Sequence, residues 1–154
     1  MVEITDVVVA RLKALPKRIE NPRARNTKKE KHQERNYEVT GGGERFSIFV
    51  RQSARVPDGF SCGLLWLPSG GGKVILARYN GADHPHRNTI EGDRVDFTFH
   101  VHTATERYAQ AGAKTEHYAT ATTRFSDVNG ALRALLADWN VAGLEQPAAE
   151  SGLI

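Results

Sequence analysis

A chain of 154 residues with 40% hydrophobic content suffices for one compact domain with its own core and is too short for two. Its apolar runs, such as Val7-Val8-Val9-Ala10, fall far short of the ~20 residues of a membrane span. The acidic start Met-Val-Glu-Ile-Thr-Asp is not a secretory lead, and a lone Cys62 excludes an internal disulfide and a thiolate zinc cluster, so a cytoplasmic protein without membrane contact is expected. The net charge of +3 hides an asymmetry: residues 17–35 hold eight Lys/Arg against three Glu, a charge of +5, while the remaining 13 basic and 15 acidic side chains leave −2.

In chain order, Thr5-Asp6 is a capping pair ahead of Val8, Val9, Leu12 and Leu15, closed by Pro16, which predicts a helix over about 5–15. Residues 17–35 lack an apolar period and predict a basic extended arm that orders on a partner. A concentrated positive field of this kind favours an anionic polymer, nucleic acid first, with Lys28, Lys29 and Lys31 as contacts; a solvated linker is the plain alternative. Strand signals follow. Tyr37 to Thr40 is short, Gly41-Gly42-Gly43 turns the chain, and Phe46, Ile48 and Val50 alternate with Arg45, Ser47 and Arg51. Pro57-Asp58-Gly59 is a turn, Phe60 to Leu67 a third strand, Ser69-Gly70-Gly71-Gly72 a third turn, and Lys73 to Tyr79 a fourth strand. After a polar, turn-rich stretch, Phe97 to Thr103 predicts a fifth strand with Phe97, Phe99 and Val101 on one face and Thr98, His100 and His102 on the other. Thr103 or Thr105 can cap a short helix ending near Gly112. Ser126 or Asp127 caps the clearest helix, whose stripe is Val128, Leu132, Leu135, Leu136 and Trp139.

The expected fold is α+β: an antiparallel meander of about five strands with N- and C-terminal helices packed on one face, leaving the other face for function. Residues 1–142 form the single domain and 143–154 a flexible tail.

Five of the six histidines lie within residues 84–117, and four form two His-x-His pairs, His84/His86 and His100/His102. Along extended chain each pair projects to one side, and an antiparallel sheet can set the pairs together. Neutral imidazoles can ligate zinc, nickel or copper, with Glu106 completing a shell. Alternatively, histidine both takes and gives a proton near neutral pH. A ribonuclease without metal needs one base for the 2′-hydroxyl, one acid for the leaving 5′-oxygen and a cation for the charge on phosphorus, a role open to Arg78, Arg87 and Arg107. The excess of Arg and Lys over nearby carboxylates favours phosphate over a cation, so no cofactor is expected and a divalent metal on the histidines is the alternative. Glu106, Arg107 and Tyr108 open a short helix after His102 and can join the site, Glu106 and Tyr108 as catalytic groups. An ordinary polar strand face is the bland reading of the histidines. The Gly-rich triplets lack the continuation of a phosphate loop and are hairpin turns; Cys62, Phe60 and Trp66 read as core.

A strand ending in Arg78-Tyr79-Asn80, a polar loop with His84-Pro85-His86, and Arg124-Phe125-Ser126-Asp127 leading into Ala131 to Asp138 together resemble the small TumE-like toxins of bacterial toxin–antitoxin operons. The resemblance spans roughly residues 44–90 and 124–140, while residues 97–120 match no block of that family and stand as an insertion. It implies a growth-inhibiting ribonuclease neutralised by a cognate antitoxin, with Asn80 beside Arg78 at the substrate. The expected function is therefore a small toxin-like ribonuclease acting on RNA by histidine acid/base chemistry. The alternative is a non-catalytic nucleic-acid- or partner-binding module that uses the basic arm.

Overall fold

Between residues 32 and 80, long runs of alternating side chains are joined by short turns, and they form the centre of one large sheet. The computed structural model describes residues 3–144. In chain order the elements are α1 (Asp6–Ala14), β1 (Lys17–Ile19), β2 (Thr27–Lys28), β3 (His32–Gly41), β4 (Glu44–Ser53), β5 (Phe60–Leu67), β6 (Val74–Asn80), β7 (His86–Arg87), β8 (Arg94–Val95), β9 (His100–Thr103), α2 (Glu106–Gln110), β10 (Ala119–Ala121), α3 (Val128–Asp138) and β11 (Val141–Ala142). The main sheet runs β10-β9-β6-β5-β4-β3-β1-β11, with β2 on β3, and β7 and β8 make a separate ribbon. All its pairings are antiparallel except β1 with β11. This is an α+β fold.

Turn chemistry sets the register. Gly41 pairs with Glu44, and the two residues between them, Gly42 and Gly43, both have positive φ (58° and 78°), the backbone that a tight two-residue hairpin requires. Helix α1 begins at Thr5, whose side chain accepts from the Val8 N–H; α3 begins at Asp127, which accepts from the Gly130 N–H, and ends beyond Trp139 at Asn140, with φ of 57°.

The pleat divides the sheet into unlike faces. Tyr37, Val39, Phe46, Ile48, Val50, Cys62, Leu64, Trp66 and Tyr79 are buried in one apolar cluster with Leu132, Leu135 and Leu136 of α3 and Val9 and Leu12 of α1. Helix α3 packs across β4, β5 and β6. Phe60, Phe99 and Phe125 close the end of this core with centroids about 6 Å apart.

Several expectations are corrected. The sheet has more strands than five: β1, β2 and the start of β3 fall within residues 17–35, expected to be an arm, and β10 and β11 lie at the two ends of the sheet. Backbone bonds place β1 between β3 and β11 and lay β2 on β3, and such short pairings need no apolar period. Lys17 is 3% exposed, its ammonium donating to the carbonyls of Trp139, Leu15 and Lys13, and burial lowers its pKa to about 8. The strand expected at Tyr37 extends back to His32 because its first half pairs fully with β4. The strand expected from Phe97 starts at His100, leaving Phe97 66% exposed. Of the expected tail 143–154, Gly143 and Leu144 are described and the remainder lies outside the described residues. No helix among the described residues is long and apolar enough to cross a membrane.

Candidate functional site

Register places two polar rows on the face opposite α3. One runs Glu34, Arg51, Ser61, Asn80, His100; the next runs Asn36, Phe49, Gly63, Arg78, His102. Above them lies an open groove of about 670 Å³, whose charged lining is Lys31, Arg51, Lys73 and Arg78 against Glu34 and Asp83, with His32 and His84 at the wall. Arg51 pairs with Glu34 at 3.2 Å, and the Ser61 hydroxyl donates to Asn80 Oδ1 at 2.7 Å.

At the β6–β9 end the two His-x-His pairs meet. The His84 ring stands edge-on to His100 (5.0 Å between centroids), His86 lies 4.7 Å from His102 and 4.7 Å from His117, and His100 is 5.0 Å from His102. The separation of the pairs in sequence is undone by β9 pairing with β6 while residues 84–88 fold back beside it. Asn88, fully buried, anchors that return by exchanging two hydrogen bonds with the Ala119 backbone.

Each imidazole has one nitrogen committed to an acceptor, which assigns its tautomer. His84 donates from Nδ1 to Asp83 (2.8 Å), His100 from Nδ1 to the Thr98 carbonyl (2.9 Å), and His102 from Nδ1 to the Glu116 carbonyl (3.1 Å). His86 donates from Nε2 to Asn88 Oδ1 (3.0 Å) and His117 from Nε2 to the Arg87 carbonyl (3.1 Å). The second nitrogen of His100, Nε2, is buried with no hydrogen-bond partner. His100 and His102 are 0% and 3% exposed. Burial, reinforced by the nearby Arg78 charge, brings the His102 pKa down to about 3; burial also lowers those of His100 and His86. These three rings are neutral at pH 7. Among the described residues, no three His, Cys, Asp or Glu side chains are arranged to hold a metal ion.

Of the residues read as catalytic, His84 faces the groove, His86 is half-buried behind it, and His100 and His102 lie beneath. Glu106 does not join them: its carboxylate accepts from the Asp6 N–H and its own N–H donates to Asp6, a reciprocal bond between the starts of α2 and α1. Tyr108 is buried with its hydroxyl on Glu91 and its ring 5.0 Å from His117, so it backs the cluster. Arg107 is paired with Glu91 and sits over the Tyr118 ring, and Arg87 is exposed on β7, where it pairs with Arg94. Arg78 and Asn80 are on the groove floor; Lys31 lines the groove, whereas Lys28 lies on β2 and Lys29 is exposed in the turn after it, neither among its lining.

The groove also takes in residues that sequence reasoning did not single out: Arg51, Lys73, His32 and Phe49 line it, and His117 completes the cluster. The alternation of β4 carried a signal for Arg51 and Phe49, which fall opposite Ile48 and Val50. His117 closes the histidine-rich window 84–117 but belongs to neither His-x-His pair. No family model, curated protein or solved structure matches this chain.

Proposed function

We propose that this chain is a small ribonuclease of the toxin type that needs no metal and cleaves single-stranded RNA at the histidine end of the groove. The observation that carries the reading is the meeting of His84, backed by His100, His86 and His102, with Arg78 on the floor of a groove whose Lys and Arg outnumber its acids. Asp83 holds the His84 Nδ1–H, which leaves Nε2 to accept the proton of a 2′-hydroxyl. The 2′-oxygen then attacks phosphorus, Arg78 stabilises the charge that gathers there, and the bond to the 5′-oxygen breaks. That oxygen takes a proton from a second imidazole, the role we assign to His32, which lines the same groove and has Glu34 Oε1 3.5 Å from its Nε2. The products are a 2′,3′-cyclic phosphate and a 5′-hydroxyl. His100 and His102 are positioning residues: neutral and fixed, they hold His84 and Arg78 in place.

The resemblance to TumE-like toxins supports growth inhibition in a bacterial cytoplasm and a cognate antitoxin that covers the groove. The experiment is cleavage of single-stranded RNA by purified protein in the presence of a chelator. Wild type is expected to cleave, and His84→Ala to lose about 100-fold or more in rate. Intact RNA after incubation with wild-type protein, with and without divalent metal, contradicts the proposal. One observation favours a second reading: two of the four motif histidines are buried and neutral, as packing residues would be. A non-catalytic nucleic-acid-binding groove would bind RNA, leave it whole and tolerate His84→Ala.

A further inference from the structure

Phe49 is an aromatic residue on the wrong side of its strand for the core. Its neighbours Ile48 and Val50 are buried under α3, while Phe49 belongs to the groove lining and not to the apolar cluster. The ring occupies a space that the sheet has cleared for it. A Cβ on Gly63, its partner in register on β5, would fall 2.5 Å from ring atom Cε2, 2.6 Å from Cζ and 2.8 Å from the Ala77 carbonyl oxygen. The ring therefore lies across the Gly63 backbone, and no other residue type fits beneath it. Arg78 follows Gly63 in the same row, and the Arg51 guanidinium stands over the ring, 6.0 Å from its centroid, so a base that stacks there takes its place or lies beside it.

We infer that Phe49 is a nucleobase-stacking platform, which seats one base of a single-stranded RNA on the groove floor and delivers its phosphate to Arg78. The inference rests on the ribonuclease reading and deepens it by naming the ligand class that the floor takes. Three features select this occupant. An aromatic face set among cations is the pairing that single-stranded nucleic acid uses, with bases on rings and phosphates on Lys/Arg. Arg78 neighbours His102 across β6 and β9, so a phosphate held there is next to the histidine cluster. The ring is half-buried on the groove face and lies outside the apolar cluster, so part of it stays open to the groove.

The test compares Phe49→Leu, which retains apolar volume without a π face, with Phe49→Tyr, which restores the face. Binding of a single-stranded oligoribonucleotide is measured by titration, KM and kcat by cleavage, and folding by thermal melt. In parallel, adenosine 5′-monophosphate and ribose 5-phosphate are titrated while the Phe49 ring resonances are followed by NMR. Expected are a loss of about tenfold in oligonucleotide affinity and a matching rise in KM for Phe49→Leu, with kcat little changed and Phe49→Tyr close to wild type. Adenosine 5′-monophosphate should shift the ring resonances and ribose 5-phosphate should not. Equal affinity and KM in wild type and Phe49→Leu overturn the platform while leaving the ribonuclease standing. Stacking of the nucleotide without cleavage of RNA overturns the ribonuclease and leaves the platform. A wild-type protein that binds no nucleotide ends both. Poly-glutamate binding as tightly as the oligonucleotide, with Phe49→Leu indifferent to either, overturns the platform in favour of an acidic protein partner.

Discussion

The two faces of the central sheet are built from the same four strands and have opposite tasks. Under α3, β4 and β5 present Phe46, Ile48, Val50, Cys62, Leu64 and Trp66, all buried, and burial of this kind drives folding. One residue over on each strand, the groove face presents Ser47, Phe49, Arg51, Ser61, Gly63 and Leu65, which the apolar face could supply only at the cost of its core. Stability and chemistry are thus separated by a half-turn of the strand, and each face can be altered with the other as its control.

The largest expected effect is on the covered face. Leu132 is fully buried at the centre of α3, and Leu132→Ala is expected to cost about 2–5 kcal/mol of stability, read by urea unfolding, with RNA affinity of the folded fraction unchanged. A loss of affinity without a loss of stability would show that the faces are not independent.

The second effect is an exception that sharpens the contrast, since His100 and His102 belong to the groove end yet are buried like core. In the folded protein His102 is held near pKa 3, against about 6.5 in the unfolded chain. Between those values the unfolded chain carries a proton that the native protein refuses. The stability from this group is complete above pH 6.5 and falls as pH drops toward 3. Lowering the pH from 7 to 5, still above the usual carboxylate range, should remove about 2 kcal/mol through His102 alone, and the lowered values of His86 and His100 act in the same direction. His102→Gln should flatten the profile by that amount; an equal slope in both proteins would place the acid sensitivity elsewhere.

The smallest effect is on the groove rim. Replacing Lys31 and Lys73 by Ala should leave stability within ~0.5 kcal/mol and reduce the salt dependence of oligonucleotide binding by a slope of about 1.4, since each phosphate contact on a single strand contributes about 0.7. An unchanged slope would remove both lysines from the RNA path.

The separation of faces also explains what the sequence could disclose. The α3 stripe, the Phe60–Leu67 strand and the Gly42-Gly43 turn are encoded by neighbours in the chain, and local periodicity reveals them. The basic segment misleads because strands of only three and two residues are held by backbone bonds to β3 and β11, which no composition records. The two His-x-His pairs announce themselves by spacing, but the burial of His100 and His102, and the arrival of His117 from the turn before β10, depend on β9 pairing with β6 and β10. The alternation of β4 sets Phe49 opposite Ile48 and Val50, but only the register shows Gly63 beneath its ring.

Whether His84 and its neighbours act on the 2′-hydroxyl of RNA bound in this groove is decided by the chemistry of the cut ends. Wild-type protein is incubated with a single-stranded oligoribonucleotide and chelator, and the products are identified by mass. Expected are 2′,3′-cyclic phosphate and 5′-hydroxyl termini, with a 2′-deoxy substitution at the cleaved nucleotide blocking that cut. Cleavage that ignores the 2′-deoxy substitution, or that leaves 5′-phosphate ends only when metal is supplied, would contradict it.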